Sequence, residues 1–150
     1  MITDSFLKKA DLERWLIPEI KEADYRDLMQ QLWDPLVEKN YSFVLKNIAT
    51  GQILSVALNF DAYDEPALQI GSKLAIIFDF LEYLEGPIRE SHLPKGRNKI
   101  FHTFMMATNE QLSMAENVLM MKIMEQKCIE IAKGRKFLGI LTTNTSPLTQ

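Results

Sequence analysis

Residues 99–142, KIFHTFMMATNEQLSMAENVLMMKIMEQKCIEIAKGRKFLGILT, hold a β-rich run, a well-capped helix and a second apolar run, in that order. Lys99 to Met106 reads as a strand. Alternation puts His102, Phe104 and Met106 on one face and Phe101, Thr103 and Met105 on the other. Ser113-Met114-Ala115-Glu116 is a capping box, in which the serine and the glutamate each satisfy a backbone N–H that the first helical turn leaves unpaired. Val118, Met121, Met124 or Glu125, Cys128 and Ile131 then recur at helical spacing, and Gly134 predicts the stop. Phe137 to Thr142 (FLGILT) reads as a buried strand. A strand, a crossover helix and a strand imply that the two strands lie parallel.

Upstream, Asp11 to Leu16 (DLERWL) predicts a short helical turn stopped by Pro18. A helix is expected from about Ala23 to Lys39, with Tyr25, Leu28, Leu32 and Leu36, and Trp33 as a further candidate, forming its buried stripe. Pro35 should end or kink it. Tyr41 to Lys46 (YSFVLK) and Gln52 to Phe60 (QILSVALNF), joined by the turn NIATG at 47–51, predict a hairpin. The polar bend DAYDEP at 61–66 leads into a helix expected from Ala67 to about Leu84, punctuated by Gly86-Pro87. Ser91 to Asn98 is a loop. The fold class is therefore α/β, with a mixed sheet, and neither repeats nor low-complexity segments interrupt it.

Composition bounds what such a chain can do. At 150 residues it has room for one domain with a sizeable core. A hydrophobic share of 47% and a charged share of 25% exclude disorder. No apolar run is long enough for a spanning helix, and the start lacks a signal-peptide core. The expected setting is cytoplasmic, without membrane contact. A net charge of −3 argues against a nucleic-acid partner. Residues 1–65 carry twelve acids against seven bases, so a cationic small molecule suits that half better than a phosphate. One cysteine, Cys128, allows neither an internal disulfide nor a zinc cage, and no metal-ligand spacing occurs. Cys128 falls on the buried helix stripe and reads as core; His92, beside Pro94, reads as exposed.

The order helix, hairpin, strand, helix, strand resembles the GNAT-type N-acyltransferases, and residues 99–142 look like that family's acyl-carrier segment. DLERWLIPEI, YSFVLKNIATGQILSVALNFDAYDEP and the helical insertion before residue 99 are similar to the amine-accepting C-terminal domains of the β-alanyl-amine synthases. The resemblance spans essentially all of 1–150. It implies a single amine-acyltransferase domain, a fragment of a multidomain protein that also holds adenylation and carrier domains. Against the family pattern, the chain lacks the C-terminal helix and closing hairpin. The implied reaction condenses a β-alanyl thioester, held on a carrier's phosphopantetheine arm, with a biogenic amine such as dopamine or histamine.

One departure bears on the donor. Family members carry Gln/Arg-x-x-Gly-x-Gly/Ala between strand and helix, so that bare amides approach the coenzyme A pyrophosphate. Counted from Gln111, the glycine positions here are Met114 and Glu116. Side chains block close approach, Glu116 adds like charge, and the capping box engages donors the anion would need. Free coenzyme A is disfavoured, whereas a tethered arm brings no pyrophosphate to that point. A free acetyl-coenzyme A donor and a non-catalytic module of the same fold are the competing readings.

Aminolysis needs a cation site, a proton acceptor and oxyanion donors. His102 is the expected proton acceptor or water relay, mid-strand where the resemblance implies a base, and a histidine's ordinary pKa near neutrality suits the task. Asp61, Asp64 and Glu65 form an acidic cluster that would attract a protonated amine, Glu65 being the second catalytic candidate. In related arylamine acetyltransferases an Asp-Glu-Pro glutamate is the base, but it lies earlier in the chain order. Tyr63, Phe78, Tyr83 and Phe104 are candidates to wall an aromatic-amine pocket. The resemblance further implies that Met106, Ala107 and Thr108 pair with the pantetheine through backbone atoms, with Asn144 bonding the same arm and Ser146 beside it.

Overall fold

The computed structural model describes residues 1–16 and 19–144. Pro18 and Ser146 lie outside the described residues. Among those described, five helices and four strands form three layers: helices α1, α3 and α4, one mixed sheet, and helix α5. No described helix is long and apolar enough to cross a membrane.

Helix α1 (Ile2–Lys9) was not anticipated; it buries Ile2 and packs Phe6 and Leu7 against the main core. Helix α2 (Asp11–Trp15) is the expected short turn. Helix α3 (Glu22–Lys39) buries Tyr25, Leu28, Leu32 and Leu36, one stripe at helical spacing. Trp33 is exposed, on the opposite side. Pro35 neither ends nor interrupts the helix. It sits in the closing turns, and the helix stops instead at Asn40, whose left-handed backbone (φ 54°) returns its N–H to Leu36.

Helix α4 departs most from expectation. It runs over Leu74–Ser91, beginning seven residues late and passing through Gly86-Pro87. Pro87 removes the bond to the Tyr83 carbonyl, but both residues lie on the solvent side, where water can replace it. The extra turn carries Glu85 and Arg89 on one face.

Strands β1 (Phe43–Lys46) and β2 (Ile53–Asp61) form the predicted hairpin. Strand β3 (Ile100–Thr108) pairs antiparallel with β2, and β4 (Gly139–Thr142) pairs parallel with β3, giving the order β1-β2-β3-β4. Helix α5 (Met114–Gly134) makes the crossover and buries Met124, Cys128 and Ala132. Gly134 is its last residue, and the left-handed turn falls on Lys136.

Strand β3 is not regular. Leu58 faces Met105 and Asn59 faces Thr103, so Phe104 is an unpaired bulge residue. The bulge resets the alternation: Met105 joins Phe104 in the core under α1, α3 and α4, and Met106 joins Phe101 in the core under α5. The predicted shared face of His102, Phe104 and Met106 therefore breaks at Phe104. Pairing with β4 also ends there, the last register being Thr103 with Thr142. From Phe104 to Thr108 the edge of β3 toward β4 has no strand partner among the described residues.

Candidate active site

A cavity of about 410 Å³ lies between the sheet and the helices, where β3 and β4 part. Its apolar wall is built from Phe6, Leu68, Ile77, Phe78, Leu81 and Phe104. Asp79 and Glu82 of α4 also line it, and two hydrogen-bonded polar groups interrupt the apolar wall.

The first is a charged network drawn from four segments. Glu85 and Arg89 stand one turn apart on α4, so the guanidinium reaches Glu85 Oε2 at 2.8 Å. The same Nη2 lies 3.2 Å from Glu65 Oε1, and Nη1 donates to the Ala62 carbonyl at 2.6 Å. From β3, His102 Nδ1 contacts Glu65 Oε1 and lies 3.1 Å from Arg89 Nη2. Just past β4, the Thr143 hydroxyl donates to Glu85 Oε1 at 2.5 Å. Burial alone would raise the Glu85 carboxyl. The Thr143 hydroxyl, His102 and Arg89 together outweigh it and hold Glu85 below the usual range. Burial also works against the Arg89 charge, and its two carboxylate partners overcome that, raising its pKa.

The second polar group is Glu13 on α2, only 3% exposed. Its Oε1 accepts the Tyr25 hydroxyl at 2.5 Å. Burial pushes the Glu13 carboxyl up, and the Tyr25 hydrogen bond pulls back without cancelling the effect. The Tyr25 phenol is raised as well, by burial and by the neighbouring carboxylate. Among the described residues no cation pairs with Glu13, unlike Glu65 and Glu85, so burial keeps its carboxyl raised.

The expected residues divide cleanly. His102, Glu65, Phe104, Met106 and Asn144 line the cavity, as does Phe78. Ala107 and Thr108 lie on the open stretch of β3, next to the cavity rather than in its wall. The remaining acids have other partners. Asp61 is buried and braces two loops, accepting the Tyr63 N–H at 3.0 Å and the Asn98 N–H. Asp64 is held by Lys39 at 2.7 Å and Arg97 at 2.8 Å, and the Lys39 bond lowers its carboxyl. Tyr63 donates to the Arg89 carbonyl at 2.8 Å and packs with Ile100 and Leu141, so it supports α4 rather than facing a guest. Tyr83 is 76% exposed, outside the cavity. Cys128 is buried core, its thiol raised by burial.

Glu13, Glu85 and Arg89 were missed. Glu13 sits in a five-residue helix too short for periodicity to show its inner face. Glu85 and Arg89 were hidden by reading Gly86-Pro87 as the helix end. The i, i+4 spacing of Glu85 and Arg89 is the signal that would have found them, once the helix was allowed to continue.

The capping box forms as expected. Glu116 Oε2 accepts the Ser113 N–H at 2.8 Å and its hydroxyl at 2.7 Å, and Ser113 Oγ accepts the Glu116 N–H at 3.3 Å. The start of α5 thus already holds a carboxylate, and Met114 projects beside it, 71% exposed.

No family model matches the chain. It is 51% identical over all 150 residues to the beta-alanyl-bioamine nonribosomal peptide synthetase ebony of Drosophila melanogaster, spanning 17% of that protein's length. It is also similar to the solved C-terminal condensation domain of Ebony in complex with beta-alanyl-dopamine. That match has a TM-score of 0.96 and 51% identity, and covers 100% of this chain and 70% of that one.

Proposed function

The chain belongs to the family of the Ebony C-terminal condensation domain, and from that premise we propose that it joins a β-alanyl thioester to a biogenic amine of the dopamine type. The observation that carries this reading is one cavity bounded by the open edge of β3 and by a buried carboxylate of raised basicity.

An arylalkylamine enters as a cation and must lose a proton to attack a carbonyl. Glu13 is suited to take it, because its ionised form is poorly solvated in the apolar wall and gains by meeting an ammonium. Tyr25 fixes the carboxylate's orientation. The role expected of His102 passes to Glu13 in this reading, since His102 Nδ1 is already engaged by Glu65 and Arg89. His102 and Glu65 act instead as positioning and acyl-binding groups. Phe6, Phe78 and Phe104 provide flat apolar surface for the amine's ring.

The acyl donor in this reading is a phosphopantetheine arm of a GNAT-type site, supplied by carrier and adenylation domains of the same longer polypeptide. The arm brings the thioester. Residues 104–108 would hold it by backbone pairing, half of their N–H and C=O groups facing the gap, with Asn144 opposite. Freed N–H groups near the Phe104 bulge would steady the developing oxyanion. Free coenzyme A fits poorly, because Glu116 and Met114 occupy the start of α5 where a pyrophosphate would seat.

The test is amide formation from dopamine and a carrier-loaded β-alanyl thioester. Glu13→Gln keeps the volume and still accepts the Tyr25 hydroxyl, so kcat is expected to fall by about 10²-fold or more. Unchanged turnover would sink the assignment of Glu13 as proton acceptor, and an inactive native chain would sink the function.

A further inference from the structure

We propose that Glu65, held by Arg89 in the α4 network, reads the ammonium of the acyl group itself, making that network the element that selects β-alanyl over uncharged acyl donors. The inference rests on the functional reading above and extends it from the amine to the acyl group.

Position is the first ground. Pairing of β3 with β4 ends at Thr103 with Thr142, one residue beyond His102 with Leu141. Thr143, the next residue, bonds Glu85, so the network closes the inner end of the gap between the strands. A thioester seated on the open edge at 104–108 directs its acyl chain toward that inner end.

Charge is the second ground. Two carboxylates, Glu65 and Glu85, share one guanidinium, and the His102 ring lies against both of them. Arg89 cannot supply more, because it is shared among Glu65, Glu85 and the Ala62 carbonyl.

Geometry is the third. Glu85 Oε1 and Oε2 are taken by Thr143 and Arg89. Glu65 Oε1 is engaged by His102 and Arg89, whereas among the described residues Oε2 has only a long 3.5 Å approach from Arg89. Glu65 is a quarter exposed and lines the cavity, so Oε2 keeps acceptor capacity toward a guest. A primary ammonium on a two-carbon arm, which β-alanine has and acetate lacks, is the complementary chemistry. An uncharged acyl chain would desolvate this carboxylate without compensation.

The experiment compares β-alanyl and butyryl pantetheine thioesters, isosteres in which a methyl replaces the ammonium, with dopamine as acceptor. The native chain is expected to favour β-alanyl by about tenfold or more in kcat/KM, and Glu65→Gln to reduce that ratio by about tenfold, chiefly through KM. Proportional loss on both thioesters would mean a structural role only and overturn the proposal. A native chain that transfers both equally overturns it too, while leaving the functional reading intact. A native chain that transfers neither overturns both. Calorimetric titration of the native chain with β-alanyl-dopamine and butyryl-dopamine asks the same question without a variant, and equal affinities would again refute it.

Discussion

Glu13 and Glu85 are both buried glutamates on the wall of one cavity, yet their environments push them in opposite directions. Glu13 has a phenol and, among the described residues, no cation, so burial dominates and its carboxyl rises. Folding therefore favours its neutral form. The stabilisation that neutral Glu13 contributes is complete below the usual glutamate range and is lost as pH rises through its raised folded value. Glu13→Gln is accordingly expected to melt at or above the native temperature at pH 7, with the difference closing in acid. Glu85 is lowered by Thr143, His102 and Arg89 once they outweigh burial. Its contribution is present above the usual range and lost as pH falls through its lowered folded value. Glu85→Gln should thus lower the melting temperature at pH 7 and matter less near pH 4. Thermal melts of both variants at the two pH values check the pair, and like signs would refute the account. None of this was legible in sequence. DLERWL marks a turn, but only the tertiary fold brings Tyr25 of α3 to Glu13 of α2.

At the scale of elements, helix α5 is the best-marked segment and α4 the most misleading. The cap of α5 is a local device whose partners are three residues apart, which is why its reading survives in three dimensions. Ser113→Ala should cost about 0.5–2 kcal/mol in a denaturant titration. The paired change Met114→Gly and Glu116→Gly bares the amides at the helix start. Calorimetry should then detect coenzyme A binding stronger than that of the native chain; native binding of equal strength would defeat the argument from the lost glycines. In α4, local punctuation lost to tertiary context. Gly86-Pro87 is a sound stop signal on its own, but the turn beyond it gains the Glu85–Arg89 pair and the Tyr63 bond to the Arg89 carbonyl. Strand β3 teaches the same lesson: alternation from Lys99 onward gives no hint of a bulge at Phe104, which arises from its register against β2.

For the whole molecule, the sheet separates two apolar clusters with different duties. The cluster under α1, α3 and α4 continues into the cavity wall, whereas the cluster under α5 lies mainly on the far side and reaches the cavity through Met106 and Met121. Phe101 anchors the latter, fully buried and edge-on to Phe137 with ring centroids 5.5 Å apart. Phe101→Ala is expected to cost about 3–5 kcal/mol by denaturant unfolding. Amide formation, measured where the variant remains folded, should change far less than in Glu13→Gln. The helix–hairpin–strand–helix–strand order, the stripe of α3, the hairpin, the α5 cap and the parallel crossover were readable from the sequence alone. Each depends on neighbours within a few residues or on the handedness of one connection. The meeting of Glu13 with Tyr25, the gathering of Glu65, Glu85, Arg89 and His102, and the dispersal of Asp61 and Asp64 to loop and surface partners were decided by tertiary structure. Those contacts join segments tens of residues apart, and burial sets which charges are paired, which are masked and which are left to meet a guest.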